Sequence, residues 1–120
     1  MASMEKIQLS GSTDGRGISV AANSSPGTTI HTGSATATTV HSVFLYASNF
    51  NTTAETVVVE WGGVTEAGDA YATVIQPNET VLLVPGWLIQ GNASTALIVK
   101  AHSTTASKVN IVGYVHEITA

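Results

Sequence analysis

The chain has 120 residues, which is the usual size of a single domain built around one hydrophobic core. Charged residues make up only 10% of it, and four basic against eight acidic residues leave a net charge of −4, so no basic patch is available to bind a run of nucleic-acid phosphates. Cysteine is absent, which excludes disulfides and thiolate metal sites.

The N-terminal segment, residues 1–34, carries only short alternating apolar pieces. A glycine-rich turn at 11–17 and the dipeptide Pro26-Gly27 interrupt them. These pieces cannot form a core of their own, and their backbone groups still need hydrogen-bond partners. We therefore predict an extended arm or short β-hairpin that packs on the body or on a neighbouring molecule. The apolar residues of this arm are Ile7, Leu9, Ile18, Val20 and Ile30.

The body, residues 35–120, consists of short Val-, Ile-, Leu- and Thr-rich runs separated by Gly, Asn and Pro. The clearest run is 55–61, where Val57, Val59 and Trp61 are expected to face a core and Glu60 to face away. We predict strands at about 39–47, 55–61, 71–76, 79–84, 95–101 and 108–118.

The segment around 38–47 also has apolar residues at helical spacing, but its β-branched and aromatic side chains favour a strand. The last strand is apolar on both faces, which predicts a central position or a contact. Pro85 cannot donate a ladder hydrogen bond, which predicts a corner or a sheet edge there. The fold class predicted is all-β, an antiparallel two-sheet β-sandwich or jelly-roll-like barrel with an extended N-terminal arm.

Catalytic chemistry is poorly represented. The candidate ligands and acid–base groups are His31, His41, His102, His116, Glu60, Glu66 and Asp69. The histidines lack the spacing of a metal site, and the acidic residues lie in a glycine-rich loop that supplies too few oxygens for a hard cation and no frame for a glycosidase pair. No Gly-x-Ser-x-Gly elbow is present. We expect an exposed turn at this loop, no metal, no cofactor and no enzymatic activity.

The two tryptophans, Trp61 and Trp87, allow two interpretations. Exposed indole rings on a β-sandwich can stack on sugars, which would make the chain a glycan-binding module. Trp61 ends an alternating inward series and Trp87 lies in an apolar corner with Leu88 and Ile89, so packing in a core or an interface is the interpretation we favour.

The surface composition predicts association. Soluble surfaces normally carry many mixed charges, and their depletion here indicates that part of the outside is covered by another copy or another protein. The first residues lack the apolar stretch of a signal peptide, and no run reaches membrane-spanning length, so we expect synthesis in a cytoplasm and no membrane contact.

Several short motifs carry a resemblance. They are Leu-Ser-Gly-Ser-Thr-Asp-Gly-Arg-Gly-Ile (9–18), Pro-Gly-Thr-Thr-Ile-His-Thr (26–32), Leu-Tyr-Ala-Ser-Asn (45–49), Val-Glu-Trp-Gly-Gly (59–63), Val-Pro-Gly (84–86) and Val-Asn-Ile-Val-Gly-Tyr-Val (109–115). In this order they resemble small virion proteins of tailed bacteriophages, of the kind encoded among the head genes.

The resemblance implies a head decoration or cement protein: a β-module, commonly a trimer, that binds the outer surface of the icosahedral head and bridges neighbouring capsomers. The expected partners are the major capsid protein and other copies of the chain. The expected contacts are the arm, Ile7, Leu9, Ile18, Val20 and Ile30, and the apolar corner, Trp87, Leu88 and Ile89. A tail- or fibre-associated or glycan-binding module, and a minor capsid or connector subunit, are the alternatives.

Overall fold

Alternating apolar and polar residues form strands throughout the computed structural model, which describes residues 3–65 and 68–120. The strands are β1 (Ser3–Gln8), β2 (Ile18–Ser19), β3 (Thr28–Thr32), β4 (Thr39–Asn49), β5 (Glu55–Trp61), β6 (Ala70–Ile75), β7 (Thr80–Gln90), β8 (Ile98–Ser103) and β9 (Val109–Thr119). This part of the chain forms no helix, and hence none that could cross a lipid bilayer.

The strands form two antiparallel sheets that pack together as a β-sandwich, so the predicted fold class is confirmed. Sheet I has the order β1-β9-β4-β7, and β2 pairs with β9 beside β1. Sheet II has the order β3-β8-β5-β6. Strand β9 lies between β4 and the β1/β2 edge, which is the central position predicted for a strand with two apolar faces.

Strand β7 lies at an edge of sheet I, as Pro85 predicts, but it does not stop there. The strand continues to Gln90, because two β-bulges in its pairing with β4 accommodate the bends in its backbone. The register against β4 shifts between Val43 and Phe44 and again between Leu45 and Tyr46. The first shift leaves Gly86 unpaired, and its φ of +100° is one that glycine adopts without a steric penalty. The strand predicted at 95–101 begins only at Ile98.

The N-terminal segment contributes to both sheets. Strand β1 pairs along its length with the end of β9, while β3 pairs with β8 in the opposite sheet. Leu9, Val20 and Ile30 are fully buried in the core that the two sheets share. Of the two predicted locations for residues 1–34, the body or a neighbouring molecule, residues 3–34 lie on the body of the same chain, where β1, β2 and β3 pair with β9 and β8.

Candidate docking face

The outward side of sheet I is set by the two-residue period of its long strands. Strands β4, β7 and β9 each have 11 residues. Odd-numbered residues of β4 and β9 point between the sheets, and Val43, Leu45 and Ile111 among them are completely buried. Even-numbered residues therefore form the outer surface, together with their register partners on β1 and β7.

Large apolar side chains dominate this outer surface, with Ser, Thr, Asn, Gln and His residues between them. We call it the sheet I face. Its large apolar side chains are the exposed Met4, Tyr46, Leu82, Leu88 and Val112 and the half-buried Val40, Phe44, Tyr114 and Ile118. Cross-strand register brings many of them together, since Tyr46 lies between Leu82 and Val112. Apolar groups that remain in water across four adjacent strands are typical of a surface that docks onto another protein.

Charge is nearly absent from the same face. Among its positions on β1, β4, β7 and β9 there is one lysine, Lys6, and no carboxylate. The Lys6 ammonium lies 4.7 Å from the centre of the Tyr114 ring, where the aromatic face attracts it. A partner therefore has one ammonium group to desolvate when it covers this surface, which lowers the cost of docking.

Aromatic stacking makes the middle of the face rigid. The rings of Phe44 and Tyr114 stack with centres 4.9 Å apart and planes inclined by 16°, and His116 packs against Phe44 at 5.3 Å. Such cross-strand aromatic pairs stabilise a sheet by about 0.5–1.5 kcal/mol beyond their buried area. The pairs also present a flat surface whose side chains lose little conformational entropy on binding.

The face is large enough for a specific contact. Strands β4, β7 and β9 are each about 36 Å long at about 3.3 Å per residue and lie about 4.8 Å apart, and the shorter β1 adds six residues at one end. The face therefore covers about 600 Å², which approaches the roughly 800 Å² that each partner contributes to a standard protein interface.

The residues predicted as partner contacts divide between the core and the surface. Leu9, Ile18, Val20, Ile30 and Ile89 are buried between the sheets, and Ile7 and Trp87 are partly buried against the same core. The buried five are core residues and cannot touch a partner in this conformation, which corrects their assignment as contacts. Leu88 is 61% exposed and lies on the sheet I face opposite Ser42.

Four exposed members of the face were not predicted as contacts: Met4, Tyr46, Leu82 and Val112. Two signals together identify them: the alternation of side chains between the two faces of a strand, and the register between neighbouring strands. The alternation can be read from the sequence, which places Val112 and Tyr114 on the same face of β9. Register is needed to show that these residues lie beside Tyr46 and Leu82, and it depends on which strands become neighbours.

The tryptophans pack together where edge strands β6 and β7 meet. Trp61 and Trp87 contact edge to face with ring centres 5.4 Å apart, and Tyr71 lies 4.8 Å from Trp87. The indole N–H of Trp61 donates a hydrogen bond to the Leu88 carbonyl at 3.2 Å. Both indole rings are therefore partly buried against the core, and Tyr71, 47% exposed, is the ring of this trio most open to solvent.

Two histidines and two carboxylates make hydrogen bonds within the fold. His31, His41 and Glu117 form a chain of hydrogen bonds, 2.7 Å between the two rings and 3.0 Å from His41 to the carboxylate. Glu60 was predicted to face solvent, but it is buried, because it accepts hydrogen bonds from the Ser25 hydroxyl and the Gly27 N–H. The 22–27 loop thus covers part of the outer side of sheet II.

In the loop after β5, the Asp69 carboxylate accepts a hydrogen bond from the Thr65 N–H, and Glu66 lies outside the described residues. Residues 3–65 and 68–120 contain no cluster of three or more His, Asp or Glu side chains that could hold a metal ion. No protein-family model matches the sequence, and no curated protein matches it.

Proposed function

We propose that the protein is a viral structural protein, a decoration or cement module that binds and stabilises the outer surface of a bacteriophage head. The observation that carries this proposal is the sheet I face, a surface rich in large apolar side chains with one lysine and no carboxylate. The motifs that resemble small virion proteins supply the kind of partner, the major capsid protein. The protein acts by binding, with no cofactor and no catalytic step.

The physical basis of such a role is repetition. A shell built from many copies of one subunit presents many equivalent sites, so a small module that contributes a modest binding energy at each site strengthens the whole lattice. A rigid β-sandwich suits this task because covering its preformed face orders few side chains. Association of several copies, for which a homotrimer remains our prediction, would let one assembly bridge neighbouring capsomers.

We expect lysine substitutions on the sheet I face to prevent attachment. Leu82 and Leu88 are at least half exposed, so Leu82→Lys and Leu88→Lys are compatible with folding. Each places a charge where apolar contact is required, and we expect each to weaken binding to undecorated heads at least about tenfold, or about 1.4 kcal/mol. Occupancy is measured on heads of the virus that carries this gene, by gel densitometry and electron cryomicroscopy.

Val64→Lys is the matched control, because Val64 is 44% exposed but lies in the loop after β5, which belongs to sheet II. It should attach like the unaltered protein. Equal attachment of all three variants would contradict the use of this face.

Location on the tail or at a single vertex would contradict the decoration role. Binding to a glycan array that Tyr71→Ala abolishes would favour the glycan-binding alternative.

A further inference from the structure

The four edges of the two sheets differ in how they resist pairing with another chain. Edge strand β1 carries charged Glu5 and Lys6. Edge strand β7 has Pro85 and two bulges, and β3 has a register shift between Thr29 and His31. Charges, prolines and bulges are the devices by which proteins prevent edge-to-edge association. Strand β6, Ala-Tyr-Ala-Thr-Val-Ile, has none of them and pairs with β5 in an unbroken register.

The free edge of β6 can be assigned residue by residue. The Trp61 N–H donates to the Asp69 carbonyl, which fixes the hydrogen-bonding phase of the β5–β6 ladder. In this phase the odd-numbered residues of β6 bond to β5. The N–H and C=O groups of Ala70, Ala72 and Val74 consequently point away from the sheet, and among the described residues no other strand pairs with β6.

We propose that β6 pairs antiparallel with β6 of a second copy, across a twofold axis at Ala72. In this register Ala72 lies opposite Ala72 of the second copy, and Ala70 lies opposite Val74. Three residue pairs then exchange two hydrogen bonds each, about six in total, and join the two copies of sheet II into one continuous sheet of eight strands. A register centred elsewhere leaves some of these groups unpaired.

The occupant is a second copy because the strand is complementary to itself. Strand β6 has no charged residue, so pairing with its own copy brings no like charges together. The nearest charged residue, Asp69, would lie beside Ile75 of the second copy. The two Asp69 residues would be about 20 Å apart, a distance greater than the screening length of about 8 Å at physiological salt, so their repulsion is weak. Ala72, exposed and small, allows the two backbones to approach at the axis.

This contact is independent of the sheet I face and leaves that face free. It is twofold, so it cannot close a trimer. On a shell it would link two neighbouring assemblies, and in solution it would join two isolated chains. The inference rests on the edge of β6 and not on the proposed function, and it is tested on the purified protein without capsids.

Oxidative cross-linking tests the register directly, because the chain has no cysteine of its own. In the proposed pairing the two Ala72 Cα atoms lie about 5.5 Å apart, within the range that a disulfide spans, so Ala72→Cys is expected to form covalent dimers at about 100 μM protein. Val74→Cys is the matched control. Val74 is equally exposed, but its equivalents would lie about 14 Å apart.

We expect at least about tenfold faster covalent dimer formation for Ala72→Cys than for Val74→Cys, since only the former meets its equivalent within disulfide range. Equal rates would overturn the proposal. Sedimentation equilibrium of Ala72→Lys gives a second readout, with dimer lost. A dimer that survives Ala72→Lys but dissociates with Leu82→Lys would also overturn it and assign self-association to the sheet I face.

Discussion

Gly113→Ala is expected to lower the free energy of unfolding by about 3–5 kcal/mol. Gly113 lies on the central strand β9 opposite Leu45 of β4. A Cβ atom at this position would lie 1.9 Å from the carbonyl oxygen of Phe44, which is backbone and cannot rotate away. The two central strands of sheet I would have to separate locally, with loss of ladder hydrogen bonds and of the Phe44–Tyr114 stack.

Chemical denaturation followed by tryptophan fluorescence measures this loss. Gly17→Ala is the control, because its added Cβ would lie 3.8 Å from the Ile111 carbonyl oxygen, an ordinary contact beside the same strand. Its free energy of unfolding should stay within about 0.5 kcal/mol of the original. If Gly113→Ala proves as stable as Gly17→Ala, then β4 and β9 do not pair in the register described.

Acid is expected to destabilise the protein between pH 6.5 and about 4, through His31. This ring is buried, and its Nδ1 accepts a hydrogen bond from the Ser10 N–H at 3.0 Å. Its Nε2 must then carry the proton that is donated to His41, so both nitrogens are engaged in the neutral form. Burial, reinforced by His41 and partly opposed by Glu117, lowers the pKa of His31 from 6.5 to about 4.

The direction of the effect follows from proton binding. Between pH 6.5 and about 4 the unfolded chain binds a proton at His31 and the folded chain does not, so the free energy of unfolding falls as the pH falls. Above pH 6.5 the contribution is complete, and below about 4 it is lost. The total loss is at most about 3.4 kcal/mol.

Denaturation curves measured across this pH range test the prediction. His31→Gln keeps one acceptor and one donor at the site but cannot titrate. It should be less stable than the original at pH 8. Between pH 6.5 and 4 its free energy of unfolding should fall less steeply with falling pH, by the uptake of about one proton on unfolding. Identical pH dependence in the two proteins would show that other groups cause the acid sensitivity.

The two proposed contacts lie on different sheets. We propose that the sheet I face binds a partner protein and that the free edge of β6 pairs with a second copy. Leu82→Lys and Ala72→Lys change one without touching the other, since the two residues lie on different strands and different sheets. The pair of variants therefore separates attachment from self-association in a single set of purified proteins.

The sequence by itself determined the local features of this protein. Alternation of Val, Ile and Thr specified the strands, Pro85 specified an edge, and the apolar faces of β9 specified a central strand, because each is a property of neighbouring residues. The scarcity of charge was also visible, and it is the origin of the nearly uncharged sheet I face.

Only the tertiary structure decided which apolar residues are buried. Leu9, Val20 and Ile30 were predicted to belong to an arm that contacts a partner, but pairing of β1 and β2 with β9 and of β3 with β8 places them in the core. Glu60 alternates outward, yet the 22–27 loop covers it. Neighbours in a sheet are distant in sequence, so the period of a strand shows that it has two faces, while long-range pairing determines which face meets water.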